Sequence, residues 1–393
     1  MLVVVVVVGI GADGWAGLAP VAVAALREAE VLLGSARQLA LVPDLDATKV
    51  TWPSPMLGAL PGLLEEHAGR RVCVLASGDP MFFGVGTTLV RLLGAEEVRV
   101  LPHPSSVSLA CARLGWAVED VEVVSLVGRP VELLHPAVQP NRRILVLSAD
   151  GSTPTRVVEL LRDRGFGPSF VSVLENLGGP DEQRESAWEA VGSLNVVAIE
   201  CRADADAVVL SRNPGLPDSV FEHDGQLTKR EVRAVTLAAL APSPGELLWD
   251  VGAGAGSVGI EWMRTHPSCR AVAVEADSGR ADRIARNAGS LGVPGLSVVC
   301  GSAPAALEGL PAPDAIFIGG GLTRVLSACW AALPAGGRLV ANAVTLESEA
   351  LLVDWHGKVG GTLTRIEISR VAPIGGSTSW RPMLPVTQWT VTK

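Results

Sequence analysis

A glycine-rich turn follows an apolar run in the second half of the chain. The stretch LLWDVGAGAGSVGIEW occupies residues 247–262 and reads as a strand, a turn with three alternating glycines and a helix. Glycine at such a turn lets backbone N–H groups approach a ligand closely. The pattern therefore predicts a small-molecule site at this turn. Its residues are Gly252, Ala253, Gly254, Ala255 and Gly256.

Two acidic residues near this turn indicate what it binds. Asp250 precedes the first glycine, and Glu275 ends the next apolar run, 19 residues after Gly256. A carboxylate at Glu275 can accept both ribose hydroxyls of an adenosine. Asp250 would repel a pyrophosphate and attract a sulfonium or an ammonium group, so S-adenosylmethionine is favoured over a dinucleotide. The alternative is a plain tight turn in which Asp250 caps the following helix.

Three loops with similar features follow apolar runs in the first half. VVGIGADGW resembles the start of a dinucleotide fold, but the next run, VLLG at 31–34, has no acid at its end. ASGDPMFFGVG (76–86) and LPHPSSVSLA (101–110) follow two further runs, and three such strand ends can line one cleft. The residues expected to bind a cofactor there are Gly9, Gly11, Gly78, Asp79, Pro80, Gly84 and Ser106.

No catalytic acid or base can be assigned from the sequence. His103 lies between two prolines, where a loop histidine with one hydrogen bond is an alternative to a catalytic one. ENLGGPDE (175–182) is either a charged turn or a border of the substrate site. The chain has no tyrosine, no legible Ser-His-Asp set, and six cysteines and six histidines without metal-ligand spacing, so no metal site is expected.

Apolar runs separated by helical patterns predict an α/β fold with parallel strands in two domains. We expect a first domain at 1–203 with two lobes that meet near residue 100, a polar linker at 204–226 and a second domain at 227–393. Predicted strands are 2–10, 72–76, 98–101, 121–126, 144–148, 170–174, 196–201, 247–251, 271–275, 296–300, 315–318 and 338–341. The tail predicts two more strands, 361–369 and 385–392, joined by a loop around GGSTSWRP.

Composition narrows the possible partners and the compartment. A net charge of −9 and a pI near 5.3 argue against a general nucleic-acid or anionic-membrane binder. The apolar N-terminus, MLVVVVVVGIG, is too short to cross a membrane and has no basic flank. Scattered cysteines without a CxxC pair predict buried thiols in a reducing compartment, so we expect a cytoplasmic protein.

Several motifs together resemble known methyltransferase families. GIGADG, SGDPMFFGVG, PSSVSLACARLGW and ENLGGPDE are similar to the tetrapyrrole (corrin/porphyrin) methyltransferase family, in particular to members that methylate carbon 5 of a precorrin ring. LTKREVRA, LWDVGAGAGSVGIE, AVEAD, GSAPAAL and FIGGG are similar to class I methyltransferases that act at carbon 15. The combination in one chain resembles the fused enzymes of cobalamin biosynthesis.

The resemblance implies a two-lobed tetrapyrrole-methylase fold followed by a class I Rossmann-like fold, with two S-adenosylmethionine sites. It implies methylation of a precorrin at carbons 5 and 15 and loss of the acetate carboxyl of ring C. By motif position Thr228, the glycine turn, Glu275 and Ala303 would contact the second cofactor. It also implies a homo-oligomer, because the first domain type is typically dimeric and the second tetrameric.

A precorrin carries many carboxylates, so cationic side chains should meet it. Solvated surface charge is the alternative for each of them. The acidic net charge gives little support to the rival interpretation, a double methyltransferase for RNA or protein, while another tetrapyrrole remains an alternative substrate. The candidate substrate-binding residues are Arg129, Lys229, Arg233 and Arg324.

Overall fold

The computed structural model describes residues 5–53, 56–184 and 191–393 and divides the chain into two compact units. The first unit comprises Met1–Val131 and Pro140–Val208, and the second comprises Glu132–Gln139 and Val209–Lys393. Residues 2–4, at the start of the first predicted strand, lie outside the described residues. None of the described helices is both long and apolar enough to cross a bilayer.

The first unit begins with a parallel five-stranded sheet in the order β3-β2-β4-β1-β5. Its central strands are buried on both faces, which explains their uninterrupted valine and leucine runs. The elements are β1 (Val5–Ile10), α1 (Pro20–Glu28), β2 (Val31–Gly34), α2 (Ala36–Ala40), β3 (Thr48–Thr51), α3 (Met56–Glu66), β4 (Val72–Ser77), α4 (Val85–Leu93) and β5 (Val98–Leu101).

The second sheet of this unit is mixed, in the order β6-β7-β10-β8-β9. β10 pairs antiparallel with β7 and with β8, so the prediction of parallel strands is wrong here. Parallel neighbours need a long crossover, usually a helix, and the described part of the β8–β10 connection holds only the short β9. The elements are α5 (Ser106–Leu114), β6 (Val121–Ser125), β7 (Arg143–Leu147), α6 (Thr153–Asp163), β8 (Phe170–Glu175), β9 (Gln183–Arg184) and β10 (Asn195–Glu200).

The second unit contains a seven-stranded sheet in the order β13-β12-β11-β14-β15-β19-β16. Five strands are parallel and the last two are antiparallel, which confirms the predicted five-strand parallel half. The elements are α7 (Arg230–Leu240), β11 (Leu247–Val251), α8 (Ser257–Thr265), β12 (Arg270–Glu275), α9 (Ser278–Ser290), β13 (Ser297–Cys300), β14 (Ala315–Ile318), α10 (Leu322–Ala332), β15 (Arg338–Ala343), α11 (Leu346–Val359), β16 (Thr362–Ile366), β17 (Ser369–Ile374), β18 (Ser377–Pro382) and β19 (Val386–Thr392).

Two details of the second unit differ from the sequence-based prediction. GGSTSWRP is not a loop, because most of it forms β18, which pairs with β17 in a separate hairpin. All six residues of β18 are exposed, so no buried alternation marks the strand in the sequence. Cys300 is exposed, against the prediction of buried thiols, whereas the other five cysteines are buried and all six are free.

The polar segment predicted as a linker is packed against the second unit from Val209 onward. Leu210, Leu216 and Phe221 are each no more than 4% exposed and belong to its hydrophobic core. The segment lacks helical or strand periodicity, and a few apolar anchors spaced along irregular backbone do not give a sequence signal that separates it from a free linker.

Arg233 holds this segment in place from inside the protein. Its side chain is fully buried, and it donates to Glu261 at 2.6 Å, to Asp218 at 3.2 Å and to the backbone carbonyls of Thr228 and Leu216. The prediction that Arg233 binds substrate is therefore wrong. A fully buried guanidinium that donates four hydrogen bonds to groups of its own chain is not accessible to a ligand.

Arg233→Met should lower the free energy of unfolding by about 3–5 kcal/mol, because it leaves the buried Glu261 carboxylate without its cation. Urea unfolding of the full chain measures the change. Arg230→Met, an exposed position on the same helix, is the control and should stay within about 0.5 kcal/mol of the parent. A loss below about 1 kcal/mol for Arg233→Met would contradict this role.

Candidate functional sites

The first unit contains a cavity of about 460 Å³ at the carboxyl ends of β1 and β4. Its walls come from the three loops that the sequence singles out and from β7, β8 and β10 of the second sheet. Open α/β sheets place their ligand sites at this end of the strands. The cavity therefore lies where the loop motifs predict a ligand.

The predicted cofactor residues divide into a lining set and a supporting set. Gly11, Gly78, Asp79, Gly84 and Ser106 line the cavity. Gly9 and Pro80 are not among the lining residues, and they shape the wall instead. A Cβ on Gly9 would lie 2.0 Å from the Gly78 carbonyl oxygen, and the Pro80 carbonyl accepts from the Gly86 N–H at 3.0 Å.

Two buried polar atoms at this cavity have no partner among the described residues. Ser148 directly follows β7 and Asn195 begins β10, and the Ser148 N–H donates to the Asn195 carbonyl at 3.4 Å. Both residues line the cavity and are 8% and 6% exposed. The Asn195 side-chain amide donates to the carbonyls of Asp150 and Gly192, but its Oδ1 and the Ser148 Oγ are unpaired. Buried polar atoms of this kind are normally hydrogen-bonded, so both indicate a polar ligand group. The sequence analysis missed them.

For His103 and for the stretch ENLGGPDE, the structure favours a structural role over a catalytic or substrate-binding one. The His103 ring lies 3.2 Å from the Asp13 carboxylate and is not among the cavity-lining residues. In ENLGGPDE, Glu182 accepts two hydrogen bonds from Arg113, which lower its pKa to about 2. Leu177 of the same stretch lines the cavity, so only its apolar part faces a ligand.

In the second unit the glycine turn adopts a conformation that other residues rarely accept. Gly252, Gly254 and Gly256 have φ values of +70°, +59° and +76°. A Cβ on Gly252 would lie 2.7 Å from the Gly320 nitrogen, and one on Gly254 would lie 2.8 Å from the Gln226 carbonyl oxygen. The turn thus packs closely against two neighbouring segments, at Gln226 and at Gly320, and the turn motif alone reveals neither of them.

Glu275 and Asp250 hold this turn by accepting backbone N–H groups. Glu275 accepts from Gly254 at 2.8 Å and from Asp277 at 3.1 Å and is 7% exposed. Asp250 accepts from Gly259 of α8 at 2.9 Å, as the helix-capping alternative predicts, but its Oδ1 is buried and unpaired. Burial raises the pKa of Asp250 to about 7, and the nearby charge of Glu275 adds to this effect.

The remaining predicted site residues differ in their burial and in their contacts. Thr228 is half-buried and its carbonyl accepts from Arg233, while Ala303 packs at the edge of the core beside the third strand end. Lys229 precedes α7 and is partly exposed, and Arg324 on α10 is exposed beside Gly321. In the first unit Arg129 is exposed near the cavity.

The two predicted cofactor sites share three features. Each presents glycine backbone at a strand end, an acidic side chain that attracts a cation, and a buried acceptor without a partner. Among the described residues no group of three or more His, Cys, Asp or Glu side chains is placed to hold a metal ion.

Comparison with known proteins agrees with this division of the chain. The family model for tetrapyrrole (corrin/porphyrin) methylases matches residues 4–190, and the model for a precorrin methyltransferase domain matches residues 219–393. Two α/β units with strand-end cradles thus define a two-domain methyltransferase that uses S-adenosylmethionine.

The chain belongs to the family of precorrin-6Y C(5,15)-methyltransferases (decarboxylating). It is 52% identical over 396 residues to the Sinorhizobium protein of that name, covering 98% of this chain and 96% of the relative. It is 49% identical to the Mycobacterium tuberculosis protein of that name (strain CDC 1551 / Oshkosh), covering 99% of this chain and 100% of the relative. A crystal structure of the C-terminal domain of precorrin-6Y C5,15-methyltransferase from Rhodobacter capsulatus is 47% identical, covers 47% of this chain and 100% of that chain, and has a TM-score of 0.45.

The raised pKa of Asp250 gives stability a defined pH dependence. Between its ordinary value of about 3.9 and the folded value of about 7, the folded chain binds a proton that the unfolded chain releases. This contribution to stability is present below about pH 4 and is lost as the pH rises to about 7. Asp250→Asn should therefore raise the melting temperature, relative to wild type, more at pH 8 than at pH 5. A difference that is constant from pH 5 to 8 would contradict the assignment.

Proposed function

We propose that this chain methylates precorrin-6Y at carbons 5 and 15 and removes the acetate carboxyl of ring C, giving precorrin-8 in aerobic cobalamin biosynthesis. The observation that carries the proposal is the presence of two unlike cradles in one chain whose whole length matches relatives with this activity in their names. S-adenosylmethionine would bind at both cradles, so each chain would have two sites.

The tetrapyrrole-methylase part, which we place at residues 1–203, would carry the carbon 5 reaction. Gly11, Gly78 and Ser106 would present backbone and hydroxyl groups to the cofactor, and Asp79 would face its positive charge. Ser148 and Asn195 would supply the hydrogen-bond partners that the cavity leaves unused. Apolar residues such as Leu174 and Leu177 would exclude water from the adenosine.

The class I part, which we place at 227–393 after the segment 204–226, would methylate carbon 15 and release carbon dioxide. Glu275 would keep its backbone hydrogen bonds and use its remaining lone pairs for the ribose hydroxyls. Asp250 would be ionised by a bound cation, because an adjacent positive charge favours the carboxylate. Thr228 and Ala303 would border the ligand, with Lys229 and Arg324 available to substrate carboxylates.

Positioning explains how such sites work without an assigned acid or base. When bound, S-adenosylmethionine supplies a methyl group that its sulfonium already activates. The residues of the chain need only hold the accepting ring carbon in line with that methyl, and alignment of this kind can contribute about 7–11 kcal/mol. When the acetate carboxyl leaves as carbon dioxide, its electron pair remains on the conjugated macrocycle, and a dry pocket disfavours the carboxylate that is lost.

Assembly, compartment and partners complete the proposal. The two domain types support a homo-oligomer, either a dimer or a tetramer. Six free thiols support a reducing compartment such as the cytoplasm. The net charge of −9 weighs against the alternative of an RNA substrate, while a different tetrapyrrole would suit the same cradles.

Glu275→Ala should reduce cofactor binding by the full chain from two sites to one, because it removes the acceptor for Gly254 and for the ribose. Isothermal titration with S-adenosylmethionine measures the stoichiometry, and the first unit serves as an internal reference. Glu308→Ala, an exposed acid in the same unit, should keep both sites. Unchanged stoichiometry and affinity in Glu275→Ala would refute the ribose role, and a single site in wild type would refute the two-site proposal.

Incubation of the full chain with precorrin-6Y and S-adenosylmethionine should give a product with two added methyl groups and one carboxyl lost. Mass spectrometry measures both changes in one experiment. Replacement of precorrin-6Y by a tetrapyrrole without the ring-C acetate should abolish carbon dioxide release. Absence of methyl transfer to precorrin-6Y, with transfer to another tetrapyrrole, would change the assigned substrate.

A further inference from the structure

The rim of the first cavity has exposed aromatic side chains that a cofactor site does not require. Phe82 and Phe83 line the cavity, are 39% and 50% exposed and pack edge to face with ring centroids 5.0 Å apart. Val127 lines the same opening and is 60% exposed. An exposed apolar surface at the mouth of a cleft is typical of a ligand-binding site.

The backbone at this rim is strained. Phe83 has a φ of +53°, a left-handed conformation that is an outlier for a bulky residue. Such conformations persist only where the surrounding structure imposes them, and they concentrate at ligand sites. The surrounding structure therefore imposes this backbone conformation at a residue whose ring lines the cavity and is 50% exposed.

Two arginines flank this surface. The Arg129 guanidinium lies over the Phe83 ring, 5.6 Å from its centroid. Arg37 lines the cavity and donates to Ser77 Oγ at 2.8 Å. In the described ranges neither arginine has an acidic side chain within ion-pair distance, so each has donors available for a carboxylate from outside the chain.

The size of the cavity indicates that the macrocycle extends to this rim. A volume of about 460 Å³ is near the lower end of the range of about 300–1,000 Å³ typical of small-molecule sites. A cofactor of nucleoside size would fill most of it. A tetrapyrrole is larger and offers an apolar face with carboxylates at its edge, which matches exposed phenylalanines flanked by arginines.

We propose that Phe82 and Phe83 form the surface on which the tetrapyrrole lies for methylation at carbon 5, and that Arg37 and Arg129 bind two of its peripheral carboxylates. The inference rests on the proposed function for the class of substrate. It adds a residue that the sequence analysis did not identify, Arg37, and assigns a role to the strained Phe83.

Phe83→Ala and Arg37→Gln should each raise the precorrin-6Y concentration needed for half-maximal carbon 5 methylation at least tenfold. Carbon-13 labelled methyl groups and NMR of the product distinguish carbon 5 from carbon 15. The affinity for S-adenosylmethionine should stay within about twofold of wild type, and Arg37→Lys should lie between Arg37→Gln and wild type because it keeps the charge without the bidentate geometry.

The same unit offers a matched control. Phe170 is 55% exposed and carries Arg202 over its ring at 4.0 Å, but neither residue is among those that line the cavity. Phe170→Ala and Arg202→Gln should leave carbon 5 methylation unchanged. Arg37 is an exposed side chain, so Arg37→Gln keeps the proposal testable even if Phe83→Ala does not fold.

A binding experiment separates this inference from the proposed function. Uroporphyrin, a polycarboxylate porphyrin, is titrated into the full chain saturated with S-adenosylhomocysteine, and its fluorescence is followed. The Phe83 and Arg37 variants should bind it at least tenfold more weakly at one site. Wild type without carbon 5 methylation would refute the function. Porphyrin affinity and half-maximal concentrations within twofold of wild type, or an equal loss of cofactor affinity, would refute the rim assignment.

Discussion

The hydrogen bond from the Gly254 N–H to the Glu275 carboxylate is the contact on which the second site depends. It joins a turn of positive-φ glycines to the end of the neighbouring parallel strand, so the exposed backbone is fixed without side chains that would occupy the ligand space. Glu275 is mostly buried, and its carboxylate accepts two backbone N–H groups. The sheet register places this carboxylate beside the turn, since Val251 and Glu275 end the adjacent strands β11 and β12.

Under the two-site proposal, the two units would bind the same cation with different backbones. In the second unit a single glycine turn and a buried acid create the cradle. In the first unit three loops from one sheet and a polar row from a second, mixed sheet share the task. Each has an acid available for a positive charge, Asp79 in one and Asp250 in the other. Unlike sheet topologies argue that the two units do not derive from one duplicated unit.

The sequence predicted best what is buried and periodic. The bounds of β5, β11 and β14 agree with the predicted ranges because their apolar spacing leaves little choice. β3 and β18 escaped detection because nearly all their residues are exposed. The glycine loops could be read as ligand sites from their composition alone, since few other roles need bare backbone at a strand end.

Other features of the sites depend on distant parts of the chain meeting in space. Arg37 lies in a short helix that the sequence analysis did not predict, and nothing in its neighbours shows that it faces the cavity. Asn195 is one polar residue before an apolar run, and its unpaired oxygen is visible only once its partners are counted. Arg233 shows the reverse case, because its position beside a ligand motif suggested substrate binding, whereas its side chain is fully buried.

The irregular segment that precedes α7 has a practical consequence for dissecting the enzyme. Arg264 donates to the Leu210 and Ser211 carbonyls, and Glu261 accepts from the Gly215 and Leu216 N–H groups. A C-terminal fragment that starts at α7 would expose the apolar core residues that this segment covers. It would also remove these hydrogen-bond partners from the buried Glu261 and Arg264 side chains. If the two halves are to be studied separately, the chain should therefore be divided before Leu210, so that these hydrogen bonds stay within the C-terminal fragment.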